Sequence, residues 1–555
     1  MISREYNPVL AMYDVRGKQE FIFRTNKLQE IIGGSWIIRD IFDDYLYDDD
    51  AAKKVGGQIY NYKKDKKDEK DKYDDFTLKK FKTHMEEGYI GEVLYEGGGN
   101  FQVLFVNEEV FKAVTYQFTK TIMETIGTLR VLGTCVEASE DLSDYKGDRK
   151  KLYDKHRRQE AEESNIAPWA CLPIVQVDRK TSQPLVEYAY SNDANDVTYA
   201  DSKTRLTIQS KGIYGKLSKE STVKLLKYHK EMQRIKYGDV DKLTELEREF
   251  YKKNEMNLDT LVTEKGRDSQ LAIIYIDGNN MGARVSAITK NCVTYEDSLK
   301  VLREFSSNIQ KTYVEKGVEK ALQSTKQSFR VVVSAGDEIN FIVNAHDALS
   351  CAQTYLDYLE DCPGDESACA GIAVFHSHAP YADVYKIAEE ACESGKQKMK
   401  ELNIKNAAFI DFHICQGAIG TSLENIREKE NGDVIGCPWM MWIKDEEGEK
   451  VKEITTYKEV SEINDFLFEF SRSNIKGMAK AAKTSETDLL MEINRVYAHA
   501  DEKAREKGKD KFSAVIEYLR NDPNRIRGIV YELSISHDLW FRDSNETNEN
   551  NEAEN

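Results

Sequence analysis

The chain runs to 555 residues with a formal net charge of −18, which predicts several domains with sizeable cores and excludes a generally basic surface for phosphate backbones. Strong binding of free nucleic acid is therefore not expected, no apolar stretch approaches a membrane span, and no signal-peptide core opens the chain. The nine cysteines are scattered without a C-x-x-C pair, which predicts a reducing cytoplasmic location and no structural zinc.

In chain order, VLAMYDVRGKQEFI (Val9 to Ile22) reads as a buried strand carrying Asp14, followed by a turn and a helix. Residues 43–75 are dense in Asp, Lys and Tyr and read as a solvated insertion. VLYEGGGNFQVLF (Val93 to Phe105) reads as a hairpin turning at Gly97–Asn100. Basic runs at Arg149–Lys151 and Arg157–Arg158 read as solvated helix faces. A connector over 179–267 is strand-like early and helical from about Lys219 to Asn254, where charge mixed with Leu, Tyr and Phe predicts an amphipathic helical pair.

Two stretches then carry the chemistry. LAIIYIDGNNMG (Leu271 to Gly282) is an apolar run ending in Asp277 and a glycine-bounded turn, and VVVSAGDEINFIV (Val331 to Val343) is a hairpin turning through Gly336, Asp337 and Glu338. Either alone is ordinary turn chemistry. Together they predict a carboxylate at one strand end beside a carboxylate pair on a neighbouring hairpin, a pattern that holds Mg2+ or Mn2+ against nucleotide phosphates. A helix from about Ala345, a strand at Ser367–Phe375, a helix from Tyr381 to Leu402 and a strand at Ala407–Ile414 complete an expected palm. On the second of these helices Lys396 is a candidate phosphate contact. Residues 463–542 read as helical, and 543–555 have almost no apolar content.

The unit occurs twice. Asp14 matches Asp277, and the hairpin alignment sets Gly98 against Gly336, Gly99 against Asp337 and Asn100 against Glu338, so the first copy lacks the hairpin acids. The expected fold is α+β: two ferredoxin-like palms, each an antiparallel sheet with helices on one face, at 1–178 and 268–418. The connector at 179–267, a helical domain at 419–542 and a disordered tail complete the chain.

In these motifs the sequence resembles the large, polymerase-like subunit of type III CRISPR–Cas effectors, whose tandem palms make cyclic oligoadenylates from ATP. The resemblance rests on Asp277-Gly278-Asn279, Ala335-Gly336-Asp337-Glu338, and Ala388-Glu389-Glu390 followed by Lys396. It implies catalytic and metal-binding roles for Asp277, Asp337 and Glu338. It implies nucleotide contacts from Gly336, phosphate contacts from Lys396 and the backbone of Gly278, Asn279, Asn280 and Met281, and an acceptor nucleotide near Gly33, Gly34, Ser35, Gly98 and Gly99. It implies CRISPR effector subunits with guide and target RNA as partners. Asn279 stands where the family has a frequent Asp, and Asp337-Glu338 resembles the hairpin of diguanylate cyclases. No HD nuclease motif precedes the first palm, and the Cys171–Leu185 segment keeps one cysteine of the family's zinc insert. Two alternatives follow: a cyclic-dinucleotide synthase acting alone, or an inactive nucleotide-binding scaffold.

Overall fold

The computed structural model describes residues 6–25, 27–47, 51–63, 75–97, 100–162, 177, 184–190, 197–198, 207–208, 215–237, 258, 261–326, 329–417, 420–432, 434–444, 454–467, 469–500 and 502–541. The chain divides into two compact units, one of residues 1–248 with 281–311, the other of 249–280 with 312–555. Among the described residues no helix is long and apolar enough to cross a membrane.

The first unit is built on β1 (Val9–Arg16), flanked by antiparallel partners β4 (Asn100–Phe105) and β5 (Arg130–Glu137). Outside β4 lie β3 (Tyr89–Gly97) and the short β2 (Gln58–Tyr60), the latter pairing parallel to β3. The near-continuous apolar run of β1 follows from cover on both faces. On one, Tyr13 packs among Phe42, Phe101, Phe111 and Phe118, drawing on α1 (Leu28–Phe42) and α2 (Glu108–Thr125). On the other, Leu10, Met12, Leu94 and Leu104 form one core with Tyr145 and Leu152 of α3 (Tyr145–Glu162). The same core takes in Tyr295, Leu299 and Leu302 of α5 (Tyr295–Ile309). Helices on one face only were expected, with 281–311 inside the second palm. The segment instead supplies a second layer here, its Leu and Tyr spacing matching this core. Its buried Arg303 donates to the carbonyls of Leu94 (2.9 Å) and Val93 (3.1 Å), at a bulge in β3 that frees those acceptors from the ladder.

In the connector β6 (Leu185–Tyr190) pairs antiparallel with β7 (Gly215–Ser218), the helix α4 (Lys219–Tyr237) packs on α1, and the expected partner helix to Asn254 lies outside the described residues. The charged insertion is in part folded. Leu46, Tyr47, Ala51, Ala52, Ile59, Tyr60 and Tyr62 are buried, because apolar residues recur among the charges up to residue 62, while 64–74 lie outside the described residues. The acidic tail and the Cys171 segment, save for Val177, Pro184 and Leu185, also lie outside them.

The second unit repeats the plan. Its central strand β8 (Gln270–Gly278) lies between β10 (Glu338–Asn344) and β11 (Ala368–His376), with β9 (Arg330–Ala335) outside β10 and α6 (Ala348–Asp361) linking β10 to β11. The register confirms the duplication: Asp14 stands opposite Asn100 as Asp277 stands opposite Glu338. Both outer strands carry a bulge at the matching place, between Val93 and Tyr95 and between Val331 and Val333. Beyond β11 the sheet departs from the antiparallel expectation. Helix α7 (Tyr381–Glu401) returns the chain across the sheet, so β12 (Ala407–Ile414) pairs parallel to β11, as a crossover requires. A sixth strand, β13 (Trp439–Ile443), lies inside the stretch expected to be helical; its run WMMWI is too short for a helix and pairs antiparallel to β12. Helices then run from Tyr457 to Ser536, with Ser485 and Asp522 capping two of them through side-chain oxygens and Pro523 at a first helical position.

Candidate active site

The site forms where β8 ends. Asp277 lies directly opposite Glu338 in the antiparallel register, and Gly336 and Asp337 make the two-residue turn joining β9 to β10. Gly336 has φ of 67°, a left-handed conformation that glycine adopts without strain. Helix α7 reaches both strands. Lys396 Nζ lies 2.5 Å from Asp277 Oδ2 and donates to the Gly278 carbonyl at 3.0 Å. One stripe earlier, the Tyr385 hydroxyl donates to Glu338 Oε1 at 3.1 Å, and Tyr381 donates to Asn340 Oδ1 at 2.6 Å. Gly371 of β11 admits the helix this closely: a Cβ there would lie 2.5 Å from Cys392 N and closer still to the Ala388 carbonyl oxygen.

The electrostatics are those of crowded acids. Burial pushes the Glu338 carboxyl up, the Tyr385 hydrogen bond opposes it, and Asp277, Glu389 and Asp337 push it further up. For Lys396 burial pulls the ammonium's pKa down, but Asp277 outweighs it and the net shift is upward, keeping the charge. Among the described residues no three His, Cys, Asp or Glu side chains are grouped so as to hold a metal ion. The donors nevertheless suit one: Asp277, Asp337 and Glu338 offer the hard carboxylate oxygens that magnesium and manganese take, and a cation would offset both the burial and the neighbouring acids that push Glu338 up. In this arrangement Lys396 supplies the counter-charge to Asp277.

Asp277, Glu338 and Lys396 are thus brought together with Asp337 in the adjoining turn, but the expected phosphate-binding backbone is largely engaged. The amide of Gly278 donates to the Asp337 carbonyl (3.2 Å) and that of Asn279 to the Ser367 carbonyl (2.9 Å), because the sheet's pairing continues past Asp277. The Asn279 side chain is buried and donates to the Ala407 carbonyl at 2.9 Å and to Ser367 Oγ at 3.2 Å, so it ties strand ends together. Asn280 adopts a left-handed φ of 55° and donates to the Lys405 carbonyl, while Met281 opens the short helix Met281–Ile288 of the other unit.

In the first unit, Gly33 and Gly34 are buried against α4. A Cβ on Gly33 would lie 2.8 Å from the Lys224 carbonyl carbon and closer still to its oxygen, so their bareness serves helix packing, and Ser35 beside them is half-buried. Gly98 and Gly99 lie outside the described residues. Asp14 is 3.1 Å from Arg16 and 3.4 Å from Lys18, cations that stand in the first palm near the position matching Asp277. His346 binds Asp268 at 2.8 Å and the Leu539 carbonyl at 2.9 Å, a tether between segments of the second unit. Sequence reasoning missed Tyr385 and left Glu389, within the Ala388-Glu389-Glu390 run, without a role. Their spacing to Lys396, eleven and seven residues on one helix, was the available signal.

Residues 270–408 match the family model described as Cas10/Cmr2, second palm domain. No curated protein sequence matches the chain. Among solved structures, a chain of the apo Csm1–Csm4 cassette aligns with a TM-score of 0.41 and 12% identity over 73% of this chain and 54% of that one. A chain of the cassette in complex with cA4 aligns at 0.39 and 12%, over 73% and 55%. A chain of the Csm1–Csm4 subcomplex in the type III-A CRISPR-Csm interference complex aligns at 0.39 and 13%, over 73% and 54%. The chain spans about half the length of these solved chains.

Proposed function

From a second palm of the Cas10/Cmr2 type, we propose that this chain is a nucleotidyltransferase subunit of a type III CRISPR effector that makes cyclic oligonucleotides, with ATP as substrate, in antiviral defence. The observation that carries the reading is the register pair Asp277–Glu338, with Asp337 in the adjoining turn and Lys396 above it. Asp277, Asp337 and Glu338 would hold magnesium or manganese, which when bound neutralises charge on the α-phosphate and acidifies a 3′-hydroxyl. Lys396 stays protonated and holds a positive charge where a triphosphate's anionic oxygens would lie. Tyr385 and Lys396 fix the two carboxylates from one helix, so the site is positioned before substrate arrives. Other effector subunits with guide and target RNA are the partners this reading calls for, and the cytoplasm is its setting.

A second reading, a nucleotide-binding scaffold without turnover, draws on one observation: Lys396 balances Asp277 without a metal. The two separate when the purified chain is incubated with magnesium and each labelled nucleoside triphosphate, alone and with effector partners and target RNA, and products are resolved by chromatography. A new phosphodiester with pyrophosphate release supports the synthase and gives base and ring size, dinucleotide or larger. No product under either condition retires it in favour of the scaffold.

A further inference from the structure

Helix α7 touches the two strands through a row of side chains on one stripe. Tyr385 and Lys396 are eleven residues apart, close to three helical turns, and meet Glu338 and Asp277 respectively. One turn before Tyr385, the hydroxyl of Tyr381 donates to Asn340 Oδ1 at 2.6 Å. Residues 338 and 340 lie on one face of β10, and residues 381 and 385 on one face of α7. The two bonds are therefore parallel rungs between the same helix and the same strand. The Asn340 rung is fixed independently, since that buried amide also donates to the Ile274 carbonyl at 3.4 Å. The Tyr385 ring is 2% exposed and meets Tyr275 edge-on at 5.5 Å and 87°, packing that confines the ring carrying the hydroxyl.

We propose that Tyr385 is a positioning residue for the Glu338 carboxylate: its hydroxyl occupies Oε1 and leaves Oε2 as the oxygen offered to a divalent cation. This rests on the metal-dependent reading of the site. A neutral hydroxyl suits the task because it directs one carboxylate oxygen without supplying the cation's charge, which a lysine or arginine would. Tyr381 performs the structural half of the same contact, so the two tyrosines form a matched pair in which only one touches a proposed ligand.

The test is manganese binding to the purified chain without nucleotide, read from the electron paramagnetic resonance signal of free Mn2+. Tyr385→Phe keeps the ring and its packing and is expected to weaken manganese binding roughly ten- to a hundred-fold, the usual range for losing an outer-shell partner. Tyr381→Phe is expected to leave manganese affinity unchanged even where it lowers the melting temperature. In a Glu338→Gln background, Tyr385→Phe is expected to have no further effect, because it acts through that carboxylate. Equal loss in Tyr381→Phe and Tyr385→Phe would overturn the proposal by making the row purely structural. Unchanged affinity in Tyr385→Phe, with binding abolished in Asp337→Ala/Glu338→Ala, would overturn the role of Tyr385 and leave the metal site standing. Wild-type protein that binds no more manganese than that double variant would remove the metal reading, and this inference with it.

Discussion

Gly371→Ala isolates the contact on which the site's geometry depends. The new methyl would lie 2.5 Å from Cys392 N, 3.0 Å from the Ala388 carbonyl carbon and nearer still to its oxygen, all main-chain atoms of α7 that cannot rotate away. Relief requires the helix to lift from β11 by about 1 Å, an overpacking strain on the order of 3 kcal/mol, the upper part of the usual range because backbone meets backbone. For a unit of this size each kcal/mol lowers the melting temperature by about 2–4 °C, so a fall of about 6–12 °C is expected. The same shift carries Tyr385 and Lys396 away from Glu338 and Asp277, so manganese and ATP binding weaken together below the transition. The control is Gly477→Ala in the helix Arg472–Thr484, where the near neighbour is the flexible end of Glu492. It removes a helix-interior glycine and is expected to stabilise by up to about 1 kcal/mol. Differential scanning fluorimetry of both variants, with binding measured at 25 °C, makes the comparison. A Gly371→Ala protein that melts within a degree of wild type and binds normally would refute the close packing of α7 on β11.

Asp337→Ala with Glu338→Ala is expected to abolish product formation with little change in melting temperature, since Gly336 keeps the turn; full synthesis by that variant would sink the metal assignment. Arg427→Met should destabilise the second unit by about 3–5 kcal/mol, because the fully buried Asp411 would lose its bidentate partner at 2.5 and 3.0 Å and keep only Ser394; chemical denaturation reads the loss. Burial and then the Arg427 charge depress the His413 pKa from 6.5 to about 4. Between those values the unfolded chain binds the extra proton, so stability falls on acidification from pH 6.5 towards 4, by at most about 3 kcal/mol. Urea midpoints across that window should show a shallower acid slope in His413→Gln than in wild type, and equal slopes would remove His413 from the account.

What could be read in the sequence was what burial writes into it. Strands β1 and β8 are covered on both faces, so each appears as an unbroken apolar run ending in an aspartate, and the duplication follows from aligning the two. Asp277, Asp337 and Glu338 were legible for the same reason: a polar residue closing such a run, or forming a glycine turn between two, has no packing role to explain it. What stayed hidden depends on partners distant in sequence. The glycine pair at 33–34 looks like a phosphate turn until α4, some 190 residues later, is seen lying on it. The amides of Gly278 and Asn279 look available until the carbonyls of Asp337 and Ser367 take them. The position of α5 in the chain assigned it to the second palm, and nothing local could say that its Leu and Tyr face complements the core around Leu94 and not the sheet next to it in sequence. Tyr385 shows the limit most directly. A tyrosine on a helix's buried stripe reads as core, and only the register of β10 reveals that its hydroxyl ends on a carboxylate instead of in a void. The residues that perform the proposed chemistry announce themselves by breaking the apolar pattern. Those that position them conform to it, and for that reason a pattern alone does not find them.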